Sequence, residues 1–110
     1  MELSKTGSLL RVKLHQAPPM HSVRPAADLL LGSVARILGP QSLGIVLTGM
    51  GRDGAEGLLA MRKAGAATLV QDEASSVVFG MPKAAIALGA AEKTVSLALM
   101  GQSILHALAK

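Results

Sequence analysis

The stretch "LTGMGRDGAEG", residues 47–57, holds the groups in this sequence best spaced to do chemistry. Gly49, Gly51 and Gly54 follow the spacing G-x-G-x-x-G, and Asp53 stands inside the glycine run. An acidic pair, Asp72 and Glu73, comes about twenty residues on, as a dinucleotide-binding fingerprint requires. In that reading the loop makes a tight turn and the N-terminus of the next helix attracts a pyrophosphate. Asp53 opposes it, because two anions a few ångströms apart repel by a few kcal/mol at an effective dielectric of about 20. In a second reading the loop is only a strand-to-helix turn, with Asp53 capping the helix that follows. That leaves the other glycines and Thr48 with little to do. In a third, Asp53 is an orienting acid. A carboxylate held by helix N–H groups stays ionised, fixes the tautomer of an imidazole, and stabilises the imidazolium formed when a serine is deprotonated. The glycines would then let a neighbouring segment come close. The residues alone leave all three open.

Other candidates are weaker. His15 falls on the wet side of a strand-like pattern, His21 in a proline-rich linker and His106 on the final helical stripe, so each reads as a surface or linker histidine. Ser75 and Ser76 follow a strand but lack a nucleophile-elbow context, and a polar turn suits them better. Met61, Met81 and Met100 read as adaptable core filler.

The elements that must position Asp53 follow from periodicity. Leu10, Val12 and Leu14 alternate with Arg11, Lys13 and His15, which predicts an antiparallel hairpin or edge strand with one wet face. "HQAPPMHSVRP" is an irregular linker, its prolines lacking backbone donors. Pro25 suits a first helical turn, and Leu30, Val34, Ile37 and Leu38 continue a helical stripe that Gly39-Pro40 stops. "GIVLT" (44–48) predicts a strand buried on both faces, then a helix with Ala55, Leu58 and Leu59 ends at Gly65. "ATLVQ" (67–71) predicts another buried strand, Pro82 opens a short helix ending near Gly89, and "KTVSL" (93–97) is a further strand. Leu97, Met100, Ile104, Leu105 and Leu108 stripe a last helix with Ser96 as its N-cap. This alternation specifies a parallel sheet with right-handed crossovers, in which functional groups gather beyond the carboxyl ends of the strands.

Composition narrows the function classes. The 110 residues are enough for one domain at most. Half are hydrophobic, with one Phe and no Trp or Tyr, so the core is aliphatic and stacking platforms for single-stranded nucleic acid are missing. The formal charge of +4 is dispersed, which favours a solvated surface over a basic docking face. No cysteine means no disulfide or thiolate metal site, and a cytoplasmic address is expected. No apolar run approaches the ~20 residues of a membrane span.

The segment from "GIVLTGMGRDGA" through "AGA" and "QDEASSVVFGMPKAA" to "KTVSL", with "RPAAD" (Arg24–Asp28) upstream, resembles the chemotaxis protein-glutamate methylesterase (CheB) family. The likeness covers nearly the whole chain, and the pairing of "LTGMGxDGA" with "FGMPxxA" is highly specific. It departs at Met20-His21-Ser22 and Ala26-Ala27, where members more often show an Asn and a Pro-Ser pair. The resemblance implies a serine hydrolase that releases methanol from methylated glutamates of chemoreceptors and deamidates glutamine, without metal or organic cofactor. It assigns the triad acid of "MGxDG" to Asp53, and places Met50 and Gly51 in the loop facing the reacting carbonyl. The triad's serine and histidine belong upstream of Met1, so this chain would be a C-terminal half-domain, inactive alone, with a receiver domain possible in the full-length protein. The expected fold is an α/β parallel sheet with flanking helices (Rossmann-like, three layers) plus an N-terminal antiparallel strand. Residues 1–22 would form the hairpin strand and linker, and 23–110 the βαβα core. A strand at 44–48 lacking its serine-bearing neighbour would be an apolar edge, prone to self-association. Nucleic acid and membrane insertion are not expected.

Overall fold

The computed structural model describes residues 2–13 and 27–109. Strands β1 (Glu2–Thr6) and β2 (Leu9–Lys13) pair antiparallel, with Thr6 opposite Leu9 across a two-residue loop. Gly7 opens that loop at φ +61°, a left-handed conformation open to a residue without Cβ. The hairpin is the expected antiparallel element, and within it Leu9 and Leu10 are 50% and 44% exposed. Leu14 and His15 lie outside the described residues. One anchor is clear: Leu3 N–H donates to Ser33 Oγ at 2.6 Å, and the buried Ser33 hydroxyl donates on to Leu30 O. Ser33 belongs to helix α1 (Ala27–Ile37), which gives way at Gly39-Pro40 to a short 3-10 turn, Gly39–Gln41.

The rest alternates as the periodicity demands: β3 (Leu43–Val46), α2 (Ala55–Lys63), β4 (Ala67–Gln71), α3 (Gly80–Ala87), β5 (Lys93–Val95) and α4 (Leu97–Leu108). The strands form a parallel sheet ordered β3-β4-β5, with Ile45 beside Leu69 and Leu69 beside Lys93. Both crossovers advance the same way, so right-handedness puts α2 and α3 on one face, where they pack together. Successive residues of β4 point to opposite faces, yet Thr68, Leu69, Val70 and Gln71 are all buried. The second face is therefore covered too, by α4, which packs on β4 and β5. This is the three-layer α/β arrangement.

The core is aliphatic: Val46, Ala55, Leu58, Val70, Ala85 and Ala90 cluster under α2 and α3. Full burial of one side chain such as Leu58 contributes roughly 1.5–3 kcal/mol. A Cβ on Gly44 would come within 2.6 Å of Leu58 Cδ1, so that glycine lets α2 settle onto β3.

Two local expectations are corrected. Strand β3 is not buried on both faces: Gly44 and Val46 are buried, whereas Leu43 and Ile45 are only half-buried. It is one of the two sheet edges among the described residues, and α4 packs chiefly over the two strands beyond it. Ser96 does precede α4, but its side chain makes no capping bond. Ser75 Oγ instead accepts from Leu97 N–H at 3.0 Å, joining the start of α4 to the loop after β4.

Candidate active site

The loop after β3 passes at the carboxyl end of the sheet, where α1 and α2 meet. Asp53 is half-buried there, and its carboxylate does not cap its own helix. Asp53 Oδ2 accepts from Ala27 N–H at 2.7 Å and Oδ1 from Asp28 N–H at 3.1 Å, the first turn of α1. The converse holds for Asp28, which is 6% exposed: its Oδ1 accepts from Gly54 N–H at 3.1 Å and Gly57 N–H at 2.7 Å, at the start of α2. Each helix thus lends a carboxylate to the positive end of the other. The exchange requires backbone-to-backbone proximity, and Gly57 provides it. A Cβ there would lie 2.7 Å from Leu31 Cβ and 3.1 Å from Asp28 Cα.

The glycines of "TGMG" serve a second contact. Gly49 forms an isolated parallel bridge with Phe79. Its N–H donates to Val78 O at 2.9 Å, and its carbonyl accepts from Gly80 N–H at 3.0 Å and Met81 N–H at 2.9 Å. Thr48 Oγ1 brackets the same residue, accepting from Val78 N–H at 2.8 Å and donating to Val78 O at 3.0 Å. The glycines let the two segments come this close: a Cβ on Gly80 would meet Gly49 O and Gly51 N at 2.9 Å, and one on Gly49 would push the Met81 thioether aside. Beneath it, the buried Gln71 amide accepts from Thr48 N–H at 2.7 Å and donates to Ser75 O at 2.8 Å. "LTGMG" and "FGMP" are therefore two sides of one rigid loop pair carrying Asp53.

Met50 is 82% exposed on this rim, and its N–H meets no acceptor among the described residues. Gly51 beside it has φ +86° and open space where a Cβ would be. Asp72, one of the two acids offered for a ribose, is engaged by Ser75, whose N–H and Oγ donate to Oδ1 at 3.0 and 2.6 Å, while Glu73 is exposed. Ser76 donates to Asp72 O, so both serines belong to a polar turn as their context predicts. With Asp28 already filling the N-terminus of α2, the phosphate cradle of the dinucleotide reading is occupied by a carboxylate. His106 lies exposed near the end of α4. The next two residues, Ala107 and Leu108, line a hollow of ≈ 400 Å³ with Leu43 and Ala67 at the amino ends of the strands, away from Asp53. His15 and His21 fall outside the described residues. No group of His, Cys, Asp and Glu suited to a metal ion occurs among the described residues.

Sequence reasoning missed Asp28 and Gln71. Asp28 appeared only as the last residue of "RPAAD", and Gln71 only as the last residue of a strand. Both act across about 25 residues of sequence, where periodicity carries no signal.

The CheB methylesterase family model matches residues 1–104. The chain belongs to the CheB methylesterase family. A "protein-glutamate methylesterase/protein-glutamine glutaminase" of Bdellovibrio bacteriovorus is 59% identical over 97 residues, which is 88% of this chain and 27% of that protein. The Escherichia coli protein of the same name is 50% identical over 105 residues, covering 96% of this chain and 30% of the relative. The chain thus spans less than a third of the length of these curated relatives. The crystal structure of the Thermotoga maritima CheB methylesterase catalytic domain superposes with a TM-score of 0.91 at 28% identity, over 96% of this chain and 56% of that one. The likeness of fold confirms the α/β sheet and the hairpin as parts of a CheB-type domain. No helix among the described residues is long and apolar enough to cross a membrane.

Proposed function

We propose that this chain supplies the acid of a Ser-His-Asp triad in a protein-glutamate methylesterase, with Asp53 in that role. The supporting observation is a half-buried carboxylate beyond the carboxyl end of β3, fixed by two backbone N–H groups in a CheB-type fold. Each carboxylate oxygen retains a lone pair, enough to accept from an imidazole N–H. The serine would attack the glutamate methyl ester carbonyl and the histidine would take its proton. Asp53 would hold the imidazole in the productive tautomer and stabilise the resulting imidazolium. The Met50 N–H, which meets no acceptor among the described residues, and that of the adjacent Gly51 would be the donors this chain offers to the oxyanion. Loss of methanol would leave an acyl-enzyme that water hydrolyses to the free glutamate, and a glutamine side chain would lose ammonia by the same route. The substrates would be methylated chemoreceptors, the setting the cytoplasm, and a receiver domain elsewhere in the protein a natural regulator.

The serine and histidine would come from the rest of the protein, so the 110-residue chain by itself should release no methanol from methylated receptor membranes. The intact protein should do so readily. Turnover by the chain alone, or none by the intact protein, would contradict the reading. The β3 edge, with half-buried Leu43 and Ile45 and Leu47 42% exposed, invites pairing with another copy. Light scattering on the isolated chain should give a dimer or larger species, and a stable monodisperse monomer would count against self-association.

A further inference from the structure

The geometry points to Asp28 as a positioning residue for the triad acid. This rests on the reading of Asp53 given above. Asp53 sits between two backbone anchors: its oxygens hold Ala27 and Asp28 N–H, while the next residue, Gly54, is held through its N–H by Asp28 Oδ1. Asp28 therefore contacts the Asp53 segment twice, once by accepting from Gly54 and once by donating its own N–H to the Asp53 carboxylate. Gly54 has φ +97° and no capping side chain of its own, so the start of α2 relies on Asp28 Oδ1 for the N–H groups of Gly54 and Gly57. Because Asp28 is 6% exposed, water is poorly placed to replace it.

Without the Asp28 carboxylate, Gly54 and the first turn of α2 lose their tether to α1. The Asp53 side chain then pivots relative to the α1 N–H groups that aim it. A displacement of about 1 Å at such a group can lower turnover about a hundredfold. The Asp28 carboxylate is turned to the N–H groups of Gly54 and Gly57, so the loss should fall on kcat and leave KM unchanged. The imidazolium would also lose part of its stabilisation, so the acid limb of the pH–kcat profile should move to lower pH. A purely structural residue would lower the folded fraction and move neither the limb nor the turnover per folded molecule.

The test uses the intact protein and methanol release from methylated receptor membranes, with turnover expressed per folded molecule by circular dichroism. Asp28→Ala removes the Oδ1 that accepts from both Gly54 and Gly57 N–H. Its kcat should fall about ten- to a hundredfold at unchanged KM, with the acid limb shifted down. Asp28→Ser replaces it should the alanine variant not fold, and failure of both to fold would assign Asp28 to stability and overturn the proposal. Wild-type kcat and an unmoved limb would overturn it as well. Asp53→Asn measured alongside separates the two ideas. An inactive Asp53→Asn beside a normal Asp28→Ala removes only the positioning role, whereas a normal Asp53→Asn removes the triad reading itself.

Discussion

Asp53→Asn in the intact protein should lower kcat by about 10⁴-fold with little change in KM. The amide matches the carboxylate in shape but presents one acceptor oxygen where the carboxylate has two. In this site both oxygens are already engaged, one by Ala27 N–H at 2.7 Å and one by Asp28 N–H at 3.1 Å. An asparagine must turn its NH₂ toward one of those donors or toward the imidazole. Either choice sets donor against donor, and the second leaves the histidine in the wrong tautomer. The stability cost is smaller. One hydrogen bond to a charged group contributes about 1.5–3 kcal/mol, and the loss of negative charge at the start of α1 adds about 0.3–1 kcal/mol. The variant should therefore fold, with a lower melting temperature by circular dichroism, and release methanol at a small fraction of the wild-type rate. A near-normal rate would remove Asp53 from the chemistry.

The second large effect concerns Gly80, which lies nowhere near Asp53 in sequence. A methyl group there would meet Gly49 O and Gly51 N at 2.9 Å and Gly51 O at 3.1 Å. All three atoms are backbone and cannot rotate aside. The two loops must separate, stretching the bonds by which Gly80 and Met81 N–H hold Gly49 O. Overpacking costs about 1–3 kcal/mol and each weakened bond up to about 1 kcal/mol, so Gly80→Ala should destabilise by about 2–4 kcal/mol. Against a typical domain stability of about 5–15 kcal/mol that is a large share. Gly49→Ala is the natural control, because the three atoms nearest its methyl all belong to the Met81 side chain. An unbranched thioether can repack, and the loss should stay under about 1 kcal/mol. Denaturant midpoints of the two variants decide the matter: equal losses would show that the backbone contact is not what demands glycine at position 80.

These cases show where the sequence was legible. Strand β4 occupies "ATLVQ" as expected, and α1 stops ahead of Gly39-Pro40, where Pro40 lacks a backbone donor. Strand β3 ends at Val46 instead of Thr48, because Leu47 and Thr48 leave the ladder and Thr48 turns to clasp Val78. Helix α3 begins at Gly80, two residues ahead of Pro82, which still falls in the first turn where its missing N–H costs nothing. Strand β1 escaped notice because "ELSKT" carries little apolar signal and is specified by its partner across the Gly7 loop. At the site, the type of residue at position 53 was legible and its partners were not. Local spacing suggested that Asp53 caps the helix it precedes. The long-range packing of α1 on α2 instead exchanges the caps of the two helices, so the carboxylate after β3 is aimed by a helix 26 residues upstream. The glycines, read first as room for a phosphate and then as clearance for a histidine, make room for "FGMP" and for the backbone of α1.

The most direct test of the account is the structure of the intact protein around Asp53. An imidazole N–H should lie within about 2.6–3.2 Å of an Asp53 carboxylate oxygen, with the opposite ring nitrogen facing a serine hydroxyl. In proton NMR the bridging N–H should give a far-downfield resonance that disappears in Asp53→Asn. If Asp53 instead met only the N–H groups of Ala27 and Asp28, with every histidine out of hydrogen-bond reach in the substrate-bound enzyme, its carboxylate would be a structural cap and the triad reading would be wrong.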